Sequence, residues 1–470
     1  IFCRYACGGT ARFNLFVRWI LYFKNQKFLV AGMSKSGESS ARFLLRRGAD
    51  VWVYDDVDSE KITAVCEGLE KLGAHRVEAD GLERAVNACD VLVLSPGIPI
   101  DNSLPVSFRR QGKCIIGEEE LGALYLRATA IAVTGTNGKT TTVSMIDEIL
   151  KRAGKNSVQC GNVGNPLVSE VENLTFDDFA VIEISSFQLE TLSSLRPHAA
   201  VITNITEDHL NRHYNMENYI FLKSKILRNL RGSEYAVLNY DDPIVRAFAE
   251  KTRSRVIFFS MTPRSDGVWF ENGAVYCEGE RIFSASDMKT EGTHNIYNAL
   301  AAIAAAHTLG IDLSVAAEAV CSFKGVRHRI ETVLERDGKT YIDDSKGTNS
   351  DATIKAVESM RRETVLMLGG KDKGYDYFPL FKKLCDSKVV HAVLYGENRF
   401  KLLAAAEQAG FSNISLCNDF ALAVKIADHV AHSGQNVLLS PASSSFDEFS
   451  GYEERGDTFL KLLRDGNEGA

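Results

Sequence analysis

Short apolar runs, each stopping in a Gly-, Ser- or Asp-rich turn and followed by a helical stretch, recur along this chain and restrict what it can fold into. KFLVAG at 27–32, DVWVYDD at 50–56, DVLVLSPGIP at 90–99 and KCIIG at 113–117 form the first series. FAVIEISS, AAVITNIT and YAVLN continue it between 179 and 239, and TYIDD, TVLMLGG, HAVLYG and NVLLSP close it between 340 and 441. Such runs suit buried strands, and their alternation with helices argues for open, mostly parallel sheets built of βαβ units. A chain of 470 residues with 45% hydrophobic content exceeds a single core, so about three domains are expected.

In sheets of this kind the C-terminal ends of the strands gather on one edge, where ligands bind. The most informative end is IAVTGTNGKTTTVS, Ile131 to Ser144. Ile131, Ala132 and Val133 suit a buried strand, Gly135 and Gly138 permit a tight turn, and Thr140 to Leu150 has helical spacing. Several N–H groups and a helix N-terminus would then face one anion. Lys139 would reach the terminal phosphates of a nucleotide, and Thr140 or Thr141 would offer a hydroxyl to Mg²⁺. The general phosphate-loop pattern asks for Gly six residues before the lysine, where Val133 stands, so it is half matched. By itself the loop reads as a nucleotide site or as an ordinary Gly-rich strand-to-helix turn.

Other strand ends carry further candidates. AGMSKSG at 31–37 is a relaxed dinucleotide fingerprint, with Gly32 and Gly37 present and Ser34 at the place of the middle Gly. Asp55 follows about twenty residues on, where an acid can meet a ribose hydroxyl, and Ser95-Pro96-Gly97-Ile98-Pro99 shares the edge. The plain alternatives are a tight first turn and a Pro/Gly turn. Glu183 ends one strand, and Asp208 and His209 follow another, so Glu183 and His209 would approach the same phosphates as Lys139. Tyr219 to Leu230 reads as a helix whose Lys223 and Lys225, judged by residue type alone, form a solvated basic face. An Ala-rich helix begins with His294, Asn295 and Asn298; capping accounts for one Asn, and the second suggests a ligand contact. In the last series Asp344, Lys346, Lys373 and Ser445 fall at strand ends, preceded by Arg327, His328 and Arg329.

A formal charge of −7 without any Lys/Arg run argues against a nucleic-acid partner. Ten cysteines without a CxxC pair, Cys3 and Cys7 being the closest, fit a reducing compartment with free core thiols and argue against a cysteine metal site. Residues 1–26 read as a leader of uncertain status, their apolar stretch broken by Arg12 and Arg18, and no later stretch nears the length of a membrane span. Membrane insertion is therefore not expected.

GTNGKTT (135–141), EISSFQLE (183–190), TNITEDHLNRH (203–213), HNIYNALAA (294–302), GVRHR (325–329), DDSKGTN (343–349) and LLSPASSSFDEF (438–449) together resemble the Mur ligase family. The likeness runs from about Lys27 to the end, and ISSFQLE and the last motif resemble the branch that adds D-glutamate. It implies an α/β fold of three domains: a Rossmann-like UDP-sugar-binding domain at 27–118, a central P-loop-type ATPase with a mostly parallel sheet at 119–325, and a Rossmann-like amino-acid-binding domain at 326–470. It also implies a cytoplasmic enzyme of peptidoglycan precursor synthesis, expected to act as a monomer, that uses ATP to join UDP-N-acetylmuramoyl-L-alanine to D-glutamate through an acyl phosphate. Two Mg²⁺ ions would help two anions, γ-phosphate and carboxylate, approach each other.

Position by position, the resemblance implies that Gly135, Thr136, Asn137, Gly138 and Lys139 hold the ATP phosphates, that Thr140 or Thr141 and Glu183 serve one Mg²⁺, and that His209 serves the second. Lys223 aligns with a lysine that CO₂ converts to a carbamate able to ligate Mg²⁺, which reverses the solvated-face reading. Asn295, Asn298, Arg329 and Asp344 would meet ATP; Ser36, Asp55, Ser95 and Gly97 the UDP portion; Asn162 the muramoyl-alanine end; and Lys346, Lys373, Ser445 and Tyr452 D-glutamate. Ser34, Val57 in place of a basic residue, and Tyr452 in place of Phe depart from the family pattern. The competing readings are an amide ligase of the same superfamily with another substrate and a nucleotide-binding regulator without ligase activity.

Overall fold

The computed structural model describes residues 26–57, 59–290, 292–372 and 374–465. The leader reading of 1–26, but for Gln26, and the expectation for Lys373 fall outside the described residues. The chain divides into two compact units: one holds the chain up to Phe283 together with Asn298–Val320, the other Ser284–Tyr297 with the chain from Cys321 onward.

The first unit contains two sheets. Strands β1 (Lys27–Ala31), β2 (Asp50–Tyr54), β3 (His75–Arg76), β4 (Val91–Leu94) and β5 (Cys114–Gly117) pair in the order β3-β2-β1-β4-β5, all parallel. The second sheet has nine strands, β6 (Thr129–Thr134), β7 (Ser157–Gly161), β8 (Phe179–Glu183), β9 (Ala199–Ile202), β10 (Tyr235–Asn239), β11 (Arg255–Ser260), β12 (Val268–Glu271), β13 (Ala274–Cys277) and β14 (Glu280–Ser284). Their order is β14-β13-β12-β11-β10-β9-β6-β8-β7, parallel from β7 across to β12 and antiparallel between β12 and β13. The second unit holds β15 (Glu331–Arg336), β16 (Lys339–Asp343), β17 (Thr364–Gly369), β18 (Val389–Tyr395), β19 (Ile414–Leu416) and β20 (Asn436–Leu439), in the order β15-β16-β20-β17-β18-β19, with only the β15–β16 pair among the recorded pairings antiparallel. The expectation of a three-sheet, mostly parallel α/β chain is met.

The strands read as continuous apolar runs because helices cover both faces. Ile131, Ala132 and Val133 of β6, and Val181 and Ile182 of β8, have no exposed surface, and the helix Thr293–Thr308 is buried all round from Ala299 to Ala306. Strand order also places the loops. β6 lies between β8 and β9, the chain leaving toward β7 and β8 on one side before crossing to β9 and β10 on the other. The loop after β6 therefore opens at a switch point of the sheet, where a crevice forms. β1, between β2 and β4, has the same position in the first sheet.

One helix differs from its sequence reading. The segment expected to be helical from Tyr219 to Leu230 is an α-helix from Met216 to Ser224, continued by a single 3₁₀ turn, Lys225–Leu227. Asn215 caps its start by accepting the Asn218 N–H. Lys223 and Lys225 therefore share no solvated face: Lys223 is 2% exposed, and the Lys225 ammonium donates to the carbonyls of Leu189 and Glu190. The described cysteines are all free and mostly buried, as expected. No helix among the described residues is long and apolar enough to cross a membrane.

Candidate active site

The loop Gly135–Gly138 is held from below by the end of β9. The Thr136 N–H donates to Asn204 O (2.8 Å), the Asn137 N–H to Asn204 Oδ1 (2.9 Å), and Thr203 Oγ1 donates to Asn137 O (2.6 Å). Gly135 and Gly138 sit at φ +145° and +82°, and a Cβ on either would come within 1.9 Å of Thr203 Oγ1 or 2.3 Å of Asn298 Oδ1. Both glycines are thus required by conformation and by space. The helix Lys139–Arg152 starts at once, so its N-terminus faces the loop mouth.

Two lysines converge on this loop. Lys139 Nζ donates to the carbonyls of Gly135 (3.0 Å) and Thr136 (2.7 Å). Lys223 Nζ, from the neighbouring helix, donates to the same Gly135 carbonyl (2.7 Å) and to Thr134 Oγ1 (3.2 Å). Burial, and then the charge of Lys139, hold the Lys223 ammonium well below the usual lysine range, with Asp208 and Glu183 opposing the shift. Both carboxylates thus lie within electrostatic reach of Lys223.

Glu183 ends β8 opposite Val133 of β6 and is 1% exposed. It accepts a hydrogen bond from Asn162 Nδ2 (2.7 Å), while Asn162 N–H donates to Glu183 O (2.9 Å). Asn162 is thereby a partner of the carboxylate. His209, at φ +56°, lies 3.5 Å from Asp208 Oδ2 and packs on Phe187 with ring centroids 4.7 Å apart. Thr141 Oγ1 is buried with no hydrogen-bond partner, which fits a ligand-facing hydroxyl. Glu183, Asp208, His209 and a threonine hydroxyl are hard oxygen and imidazole donors of the type that suits Mg²⁺.

Asp208, the Thr203–Asn204 floor and Tyr219, whose hydroxyl lies 3.1 Å from Thr136 Oγ1, had no assigned role in the sequence reading. The signal for Asp208 was present in TNITEDH; the roles of the others depend on strand order. Asn298 joins this group beside Gly138 and Thr142.

In the first sheet Gly32 (φ +86°) and Gly37 make the turn after β1. A Cβ on Gly32 would lie 2.7 Å from Ser95 Cβ, and one on Gly37 would lie 1.8 Å from Gly32 O, so turn, helix and Ser95 pack as one piece. Ser95 Oγ donates to Gly32 O (2.7 Å). Asp55 accepts the N–H groups of Met33 (2.6 Å) and Val57 (2.9 Å), and so braces the turn with the same carboxylate expected to meet a ribose. Ser36 stands in the first turn of the helix Lys35–Arg46, and Gly97 faces open space.

In the second unit Asp344 follows β16 and is pushed up to about 7 by burial, against the pull of the Arg329 charge. Ser440 Oγ donates to it (2.6 Å). Lys346 Nζ lies 5.0 Å from the Tyr452 ring centroid, and His328 meets the same ring edge-on. Ser445 is buried in the loop after β20, and that loop bridges to Lys371. Asn295 belongs to this unit as well. The sequence reading left out Arg455, whose side chain is fully buried and donates to the carbonyls of Ser345 (2.8 Å) and Ser443 (3.0 Å), tying two of these loops together.

Three family models match the chain: the Mur ligase MurD-like N-terminal domain over residues 26–117, the Mur ligase middle domain over 133–306, and the Mur ligase glutamate ligase domain over 328–443. A UDP-N-acetylmuramoylalanine–D-glutamate ligase of Pelotomaculum thermopropionicum is 42% identical over 453 residues, covering 94% of this chain and 98% of its own. Its counterpart in Clostridioides difficile is 39% identical, covering 93% and 98%. Among solved structures, the UDP-N-acetylmuramate-alanine ligase MurC of Thermotoga maritima is similar in fold, with a TM-score of 0.62 at 19% identity, over 94% of this chain and all of that one.

Proposed function

The chain belongs to the Mur ligase family, and on that premise we propose that it joins UDP-N-acetylmuramoyl-L-alanine to D-glutamate at the expense of ATP. The observation that carries the ligase chemistry is the meeting of Lys139 and Lys223 on one carbonyl, with Glu183 and Asp208 in electrostatic reach, at the switch point of the central sheet. Likeness to D-glutamate ligases over nearly the whole chain supports the choice of amino acid.

A carboxylate is a poor electrophile, so amide formation needs it activated. A carboxylate oxygen of the L-alanyl group attacks the γ-phosphorus, ADP leaves, and the acyl phosphate is then attacked by the amine of D-glutamate with loss of phosphate and a proton. Lys139 leaves its loop carbonyls for the phosphates, and the helix N-terminus behind it faces the same charge. Glu183, His209 and Thr140 or Thr141 would hold Mg²⁺, which supplies charge neutralisation between phosphate and carboxylate. Burial and the charge of Lys139 favour loss of the Lys223 proton. The free amine then adds to CO₂ with release of a second proton, so that overall the ammonium cation becomes a carbamate anion and two protons leave. Ser36, Asp55, Ser95 and Gly97 would line the UDP side, with Asn162 at the muramoyl-alanine end. Asn295, Asn298, Arg329 and Asp344 would serve ATP, and Lys346, Lys373, Ser445 and Tyr452 D-glutamate.

The deciding experiment is a coupled ADP-release assay on the purified chain with a substrate panel. ADP release that requires both UDP-N-acetylmuramoyl-L-alanine and D-glutamate supports the reading. Equal activity with meso-diaminopimelate or L-lysine in place of D-glutamate sinks it, and ATP binding without turnover turns the protein into a regulator.

A further inference from the structure

We propose that Arg212 is a positioning residue that fixes the Ser95–Pro99 loop, read above as a wall of the UDP-sugar site, to the segment carrying His209. Its guanidinium donates to three successive carbonyls of that loop: Nη2 to Pro96 O (3.3 Å) and Ile98 O (3.0 Å), and Nη1 to Gly97 O (3.2 Å). On its other side Nε and Nη2 donate to the two oxygens of Glu190, at 3.0 and 2.6 Å. The two side chains are 11% and 7% exposed, so this bidentate pair is shielded from water. The guanidinium carbon lies 5.0 Å from the centroid of the Phe187 ring, which packs against His209. Tyr214, two residues on, adds a second strap by donating to Asp101.

The arrangement aims a donor. In a trans peptide C=O and N–H point opposite ways, so holding Pro96 O toward Arg212 turns the Gly97 N–H away from it. A Cβ on Gly97 would meet nothing within 4 Å, so the main chain there is not crowded by the rest of the protein. The Ile98 N–H is already given to Ser95 O (3.0 Å). Gly97 N–H is thus the loop donor left for a diphosphate oxygen, and its direction is set by Arg212. A lysine could not replace the planar fork, which meets a carboxylate on one side and three carbonyls on the other.

The inference rests on the UDP-sugar reading, and the test separates the two. UDP-N-acetylmuramoyl-L-alanine binding by calorimetry and initial-rate kinetics are measured for the wild type, Arg212→Lys, Arg212→Ala and Glu190→Gln, with ATP affinity measured alongside. Arg212→Lys and Arg212→Ala weaken UDP-sugar binding and raise its KM about 10–100-fold, the cost of a misplaced contact, with ATP affinity within about twofold of wild type. Glu190→Gln shifts the same constant in the same direction by less. Should Arg212→Ala fail to fold, Arg212→Lys and Glu190→Gln carry the decision. Wild-type UDP-sugar binding in Arg212→Lys, or an equal loss of ATP affinity, overturns the proposal. A wild type that binds the UDP-sugar but forms no product overturns the ligase reading alone, and a wild type that does not bind it overturns both.

Discussion

Replacing Gly138 with alanine tests the phosphate loop with a built-in control. Gly138 caps the start of the helix Lys139–Arg152 at φ +82°, ψ −9°, and an added Cβ would lie 2.3 Å from Asn298 Oδ1. The left-handed backbone costs a side-chain-bearing residue about 1–2 kcal/mol. Moving the Asn298 amide, which is buried and accepts from Thr142 Oγ1 at 3.4 Å, costs about 1–3 kcal/mol more. The sum is about 2–5 kcal/mol, relieved when the loop abandons its anion-binding shape. Since 1.4 kcal/mol is tenfold, ATP affinity falls at least about 30-fold. Gly154, just past the other end of the same helix, has φ +71° and nothing within 4 Å of its absent Cβ. Gly154→Ala therefore carries the backbone cost alone, about 1 kcal/mol after the stiffer unfolded chain is allowed for, and leaves ATP binding unchanged. The assay is calorimetric titration with ATP and Mg²⁺, together with thermal unfolding. If Gly138→Ala binds ATP within about threefold of wild type, the loop is not the phosphate site.

Lys223→Ala should lower turnover by about a hundredfold or more, and acetate or formate should restore part of it by standing in for the carbamate; absence of rescue in the ADP-release assay argues against carbamylation and leaves ligation untouched. Thr141→Val removes a buried hydroxyl that no protein group meets, so thermal stability holds or rises, while the Mg²⁺ concentration for half-maximal rate rises about tenfold; unchanged Mg²⁺ dependence moves that role to Thr140. Glu119, fully buried beside Glu118 and accepting from Gln188, is held well above the ordinary carboxylate range by burial, then by the Glu118 charge. The folded chain keeps a proton that the unfolded chain releases, so stability falls as pH rises from about 4.3 through the raised folded value. Glu119→Gln should raise the melting midpoint at pH 8 and lose that advantage near pH 4; a gain independent of pH would refute the retained proton.

The three sheets were legible because their strands are covered on both faces, which turns each into an unbroken apolar run such as Ile131–Val133. Gly135 and Gly138 were legible because the turn that needs their positive φ is local, whereas the space denied by Thr203 and Asn298 was not. Lys223 was legible only through the family resemblance: judged by residue type, YIFLKSKIL sets it beside Ser224 and Lys225 as a solvated face, whereas in the structure the approach to Gly135 O buries it. Arg212 and Glu190 were visible only as parts of motifs, since the carbonyls that Arg212 meets belong to another sheet. Asp55 shows the converse, a residue chosen for a ligand whose carboxylate also braces the main chain of its own turn.

Arg212 reaches back 115 residues to Gly97, and this has a consequence for biogenesis. Synthesis runs from the N-terminus at about 5–20 residues per second, so β1–β5 leave the ribosome well before their clamp is made. The five strands can pair as they emerge, yet the loop beside Gly97 is left without its fastening until residue 212 has followed. A fragment cut after β5 would lack the residue that fastens the loop beside Gly97. Expressing β1–β5 alone is therefore a poor route to a minimal sugar-nucleotide receptor.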